Sequence, residues 1–156
     1  MAQFEHILTD EAATLQAGAR LAQLVRAGDT LLLEGDLGMG KTTFARGFIT
    51  EYGDVDDVPS PTFTLMQIYD GREGPLMHCD LYRVEEEDEL EELGFDDLIG
   101  DHVALIEWPD RLGRYCPPDY LTVTLTPYGD GRKLTFTAQG DWGRRIGDIE
   151  HAFQQD

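Results

Sequence analysis

Gly35-Asp36-Leu37-Gly38-Met39-Gly40-Lys41-Thr42 sets three glycines ahead of a lysine and a hydroxyl residue in the spacing G-x-x-x-x-G-K-[ST]. Glycines let a backbone curl until successive amide hydrogens face one hollow, and a helix starting at the lysine adds the partial positive charge of its N-terminus. That hollow suits the phosphates of a nucleotide. In this pattern Lys41 reaches the β- and γ-phosphates, and the Thr42 hydroxyl ligates Mg²⁺. The pattern carries this meaning only between a buried strand and a helix. Thr30-Leu31-Leu32-Leu33-Glu34 reads as the strand, and Lys41 to Tyr52 reads as the helix, with Gly53 as its stop.

Hydrolysis also needs a carboxylate near the metal and a group that orients water. Two acids end strand-like runs: Asp80 follows Leu76-Met77-His78-Cys79, and Glu107 follows Val103-Ala104-Leu105-Ile106. In a parallel α/β sheet the C-terminal ends of the strands face the ligand crevice, which brings both acids within reach of a metal. Glu107 has the cleaner apolar run and is assigned to the metal. Asp80 is assigned to a second metal position or to the water, and the sequence leaves the two roles interchangeable. Trp108, just past Glu107, would set an aromatic ring at the crevice rim. Ser60-Pro61-Thr62-Phe63-Thr64 lies where nucleotide switches place a γ-phosphate-sensing hydroxyl, and it reads equally well as a rigid proline loop. His78 lacks a partner at metal-ligand spacing and reads as a lone, hydrogen-bonded histidine.

The elements that must hold these groups alternate between helix and strand early in the chain and pair as hairpins late. Thr9 or Asp10 can cap a first helix that runs to about Arg26, with Leu15, Leu21, Leu24 and Val25 on one face. TFTLMQIY and PLMHCD flank the turn residues Asp70 to Gly74 and read as two strands. The acidic run from Glu85 to Glu92 reads as an exposed helix ending at Gly94. LTVTLT and KLTFTA suggest an antiparallel hairpin, and an amphipathic helix from Trp142 to Phe153 closes the chain. The expected fold is α/β, P-loop NTPase-like and layered, with a mixed central sheet flanked by helices and one domain over residues 1–156.

Composition narrows the partners. Among 156 residues, 12 are Lys or Arg and 31 are Asp or Glu, a formal charge of −19. Such a surface repels phosphate backbones, so no strong direct binding of nucleic acid is expected. No apolar run approaches the roughly 20 residues that span a bilayer. The opening MAQFEHILTDEA has neither a basic start nor an apolar core of a leader. Cys79 and Cys116 stand apart and read as free thiols. A cytoplasmic protein without a membrane partner is expected.

The set GDLGMGKTTFARGF, SPTFTL, HCDLYR, ELEELGF and LIEWPDRL, in this order, resembles the TsaE (YjeE) family, small bacterial P-loop ATPases of tRNA threonylcarbamoyladenosine biosynthesis. The resemblance runs from about Thr9 to Arg111 and is weak beyond Pro117. It implies an ATPase, slow by itself, that works with TsaB and TsaD to sustain threonylcarbamoyl transfer to the adenosine beside the anticodon. It implies ATP in the loop formed by Asp36, Leu37, Gly38, Met39, Gly40, Lys41, Thr42 and Thr43, and Mg²⁺ held through Thr42 and Glu107. Asp80 and Trp108 fall on family positions tied to nucleotide turnover. Thr9, Glu11 and Arg132 fall near positions that touch the base or sugar. Met39 departs from the family, where a small residue is usual; its backbone amide still serves, so altered loop packing is expected rather than lost binding.

Three other readings compete. A GTPase would share the loop, and Asp110-Arg111-Leu112-Gly113 fits a loose D-x-x-G, yet guanine selection by N-K-x-D needs an asparagine and the chain has none. A small-molecule kinase would use Arg111 and Arg114 as lid arginines. A nucleotide-dependent binding module would dock with little turnover.

Overall fold

The structure, a computed structural model, describes residues 3–35, 38, 40–53 and 66–154. Asp36, Leu37, Met39 and the segment from Ser60 to Thr64 lie outside the described residues. Among the described residues seven strands form one sheet: β1 (Gln3–Leu8), β2 (Thr30–Glu34), β3 (Met66–Tyr69), β4 (Leu76–Asp80), β5 (Val103–Glu107), β6 (Tyr120–Tyr128) and β7 (Gly131–Gln139), in the order β1-β7-β6-β2-β5-β4-β3. The inner strands β6, β2, β5 and β4 run parallel, and both edges are closed by antiparallel neighbours. The sheet is therefore mixed, as the early alternation and late hairpin require.

Helices α1 (Glu11–Ala22), α2 (Lys41–Gly53) and α5 (Ile146–Phe153) cover one face; the short α3 (Asp88–Glu92) and α4 (Phe95–Leu98) lie on the other. The run Leu31-Leu32-Leu33 is apolar throughout because both faces are covered. Leu31 and Leu33 join Leu21, Phe44, Phe48 and Ile49, while Leu32 joins Met77, Ile106, Leu90 and Phe95. Burying each such side chain stabilises the fold by about 1.5–3 kcal/mol. After β2 the chain passes to the β5 side, and β6 later pairs on the other flank, so β2 sits at the point where strand order reverses. Crevices in α/β sheets form at such a point, outside the C-terminal strand ends.

Some boundaries differ from the sequence reading. α1 is capped by Asp10, whose carboxylate accepts from the Ala13 amide at 2.8 Å, but it ends at Ala22 rather than Arg26. Asp29 captures the Arg26 amide at 2.7 Å and turns the chain first. The acidic helix shrinks to five residues because the Glu89 carboxylate accepts from the amides of Glu85 and Glu86, which folds the start of the run into a turn. α5 begins at Ile146, after a 3-10 turn over Gly140–Arg144. The edge strand β1 has no counterpart in the sequence reading. Its Phe4, stacked on Phe136 of β7, marks the inward set.

α1 and α2 touch backbone to backbone. A Cβ at Gly18 would overlap the Phe44 carbonyl oxygen, and one at Gly47 would overlap the Leu15 carbonyl oxygen. Gly47→Ala is therefore expected to force the helices apart and to cost about 1–3 kcal/mol. Chemical denaturation would read this as a lower midpoint at unchanged slope; an unchanged midpoint would contradict the contact.

Candidate active site

The loop after β2 begins with a close approach. A Cβ at Gly35 would lie 2.8 Å from the Leu125 carbonyl oxygen of β6, and the Gly35 φ of 146° is one that side chains disfavour. Gly38 and Gly40 also have positive φ, 83° and 99°. The Gly40 carbonyl accepts from the Phe44 amide at 2.9 Å, so the first turn of α2 starts directly from the loop. Lys41 is only 6% exposed; Thr42 is exposed and Thr43 half-buried on the same turn.

Both acids stand at the C-terminal ends of their strands, β4 and β5. Asp80 and Glu107 are register partners across β4 and β5, so their side chains leave the sheet on one face. Glu107 is buried, and its Oε2 lies 2.8 Å from Nε2 of the equally buried His78. Asp80 accepts from the Tyr82 amide at 3.1 Å. Burial raises the Asp80 pKa; the Tyr82 amide opposes this, the Glu107 charge adds to it, and His78 and Lys41 oppose it again. Among the described residues no three His, Cys, Asp or Glu side chains form a complete metal cage. Mg²⁺ does not need one, since it keeps waters and commonly takes one or two carboxylates with substrate phosphates.

The raised pKa has a stability consequence. A carboxyl whose folded pKa lies above its unfolded value adds stability at low pH and loses it as pH rises through the folded value. At pH 7 an ionised Asp80 therefore weakens the fold. Asp80→Asn should melt above the wild type at pH 7, and the gap should close as the pH falls toward about 4. A lower melting temperature for the variant at pH 7 would contradict this.

Trp108 follows Glu107 with φ of 60°, the one positive value at a non-glycine residue among those described. Such backbone is disfavoured for a bulky side chain and collects at functional sites. The turn carries the indole under the Lys41 ammonium, 4.0 Å from the ring centroid, and against Tyr82, at 4.9 Å between centroids. Lys41, Asp80, Glu107 and Trp108 thus form one cluster, with His78 as a member that the sequence reading left outside it.

A second group of predicted residues lines a cavity of about 280 Å³ beside the loop: Glu11, Gly38, Gly40, Thr43 and Arg132, with Leu8, Asp10, Thr14, Asp130 and Gly131. Arg132 donates to the Gly38 carbonyl at 3.3 Å, tying the start of β7 to the loop. Thr9 is not in this lining; its Cα backs Gly131. Arg111 donates to the Val84 carbonyl, and Arg114 engages Tyr115 and the Glu91 carboxylate, so neither stands as a lid over the cluster.

A parallel-centred sheet with a glycine loop between its switch-point strand and the following helix defines a P-loop NTPase-like α/β protein. The family described as "Threonylcarbamoyl adenosine biosynthesis protein TsaE" matches residues 8–134. The chain belongs to the TsaE family. It is 43% identical over 122 residues to the Bacillus subtilis (strain 168) tRNA threonylcarbamoyladenosine biosynthesis protein TsaE, covering 77% of this chain and 76% of that one. It is 33% identical over 152 residues to the Haemophilus influenzae protein of the same name, covering 94% and 96%. The crystal structure of Bacillus subtilis YdiB superposes with a TM-score of 0.75 at 30% identity, over 96% of this chain and 95% of that one. Among the described residues no helix is long and apolar enough to cross a membrane.

Proposed function

We propose that this protein binds ATP with Mg²⁺, hydrolyses it, and acts on the TsaD–TsaB complex to sustain threonylcarbamoyl transfer to the tRNA adenosine beside the anticodon. The observation that carries this reading is the convergence of Lys41, Asp80, Glu107 and Trp108 at the start of α2, where the ends of β4 and β5 meet it. The names of the relatives support the pathway.

The donor set fits the cation, a hard ion that takes oxygen ligands. Thr42 and Glu107 would hold Mg²⁺, with Asp80 adjacent; when bound it neutralises charge that builds on the transferred phosphoryl group. Lys41 binds the terminal phosphates. Trp108 fixes the height of the Lys41 ammonium through its ring face. The 280 Å³ cavity, with Glu11, Thr43 and Arg132, takes the nucleoside end. Asp80 orients the attacking water by accepting its hydrogen. The water oxygen bonds to the γ-phosphorus, the bond to the ADP oxygen breaks, and ADP and inorganic phosphate leave.

The test is ATP turnover with and without purified TsaB and TsaD. Slow turnover by the protein alone and faster turnover with both partners are expected. Fast turnover that ignores the partners would refute the partner-gated reading.

A further inference from the structure

We propose that His78 is a positioning residue for Glu107, fixing one carboxylate oxygen by hydrogen bonding so that the other is left for a cation. The inference rests on the reading above. His78 is 3% exposed and Glu107 6%, and Nε2 lies 2.8 Å from Oε2. A carboxylate that holds a cation only accepts, so in this role Nε2 carries the hydrogen and donates it.

Packing alone does not call for an imidazole at this place. On its face of the sheet His78 is flanked by the fully buried Leu76 and Leu105 and, across β3, by the half-buried Gln67. An apolar side chain would fill the space. Instead the histidine keeps Nδ1 buried without a hydrogen-bond partner among the described residues. The bond that the ring does make, from Nε2 to the buried Glu107 carboxylate, is its role at this position. The alternation of β4 gives that role its reach: His78 and Asp80 are two residues apart on one strand, so they share the face on which Glu107 leaves β5. One imidazole hydrogen therefore restrains the rotation of the carboxylate beside Asp80. Partners of this kind behind a ligating carboxylate typically change metal affinity by about 10–100-fold.

Calorimetry with a non-hydrolysable ATP analogue, in Mg²⁺ and in EDTA, tests this on the full chain and its variants. In the wild type Mg²⁺ should tighten binding. His78→Leu should keep the metal-free affinity but lose about 10–100-fold of the gain from Mg²⁺. His78→Gln, whose amide nitrogen sits near the Nε2 position, should recover most of it. A Leu variant with the wild-type Mg²⁺ gain, or a Gln variant no better than Leu, would overturn the proposal while leaving nucleotide binding intact. A wild type that binds no analogue would overturn the nucleotide reading itself, and the role of His78 with it. If His78→Leu does not fold, His78→Asn replaces it, since the shorter amide does not reach Glu107. Nitrogen-15 NMR of the wild type gives a second readout: Nε2 should be the hydrogen-bearing nitrogen, and a bare Nε2 would overturn the proposal.

Discussion

Lys41→Ala is expected to remove nucleotide binding at concentrations where the wild type is saturated. The ammonium follows the glycine loop directly, nearly buried and held on the Trp108 face. In that setting its attraction to phosphate is little screened by solvent. Truncating one member of a desolvated charge pair costs about 2–5 kcal/mol, roughly 30- to several-thousand-fold in affinity. The fold should survive, because the Lys41 side chain makes no part of the apolar packing that joins α2 to β2 through Phe44, Phe48 and Leu33. Anisotropy of a fluorescent ADP analogue, with circular dichroism as the control for folding, checks this. Wild-type affinity in a folded Lys41→Ala protein would remove the lysine from the site.

Glu107→Gln should separate binding from turnover. Glutamine keeps the size of the side chain and an oxygen that can accept from His78 Nε2, so the buried pair survives as a neutral hydrogen bond. The charge that would hold Mg²⁺ is lost. Turnover in the presence of TsaB and TsaD is expected to fall by about 100-fold or more, the scale of a lost electrostatic contribution to a transition state. Metal-free nucleotide affinity should change little. Glu107→Ala is a harsher variant, since it leaves His78 without its acceptor and adds a stability loss of about 1–3 kcal/mol. Steady-state kinetics and EDTA-buffered binding measure the two halves; undiminished turnover in Glu107→Gln would exclude the carboxylate from the chemistry.

The site was legible where a single segment carries its own signal. The leucine run of β2, the glycine spacing and the helix after Lys41 are local, and so are the acids that end β4 and β5. Burial on both faces makes such strands apolar runs, and a terminal acid then stands out. The His78–Glu107 pair was not legible, because it depends on the register between two strands that lie 29 residues apart in sequence. The spacing His78-x-Asp80 was the available signal: once Asp80 is placed in the crevice, strand alternation puts His78 on the same face. The stack of Lys41 on Trp108 needed the positive φ at a tryptophan, which no propensity favours. β1 was missed because its alternation is short and one flank is solvent, whereas β7, which fixes it, comes more than a hundred residues later. Arg132 is singled out by the family resemblance alone; in the structure its guanidinium donates to the Gly38 carbonyl.

The most direct measurement is a calorimetric titration of ATP with Mg²⁺ into the wild-type protein and into Lys41→Ala. One saturable site per chain in the wild type, lost in the variant, is the expected result. No heat from the wild type even with TsaB and TsaD present, or the same binding curve for both proteins, would contradict the assignment of this loop and its carboxylates to a nucleotide.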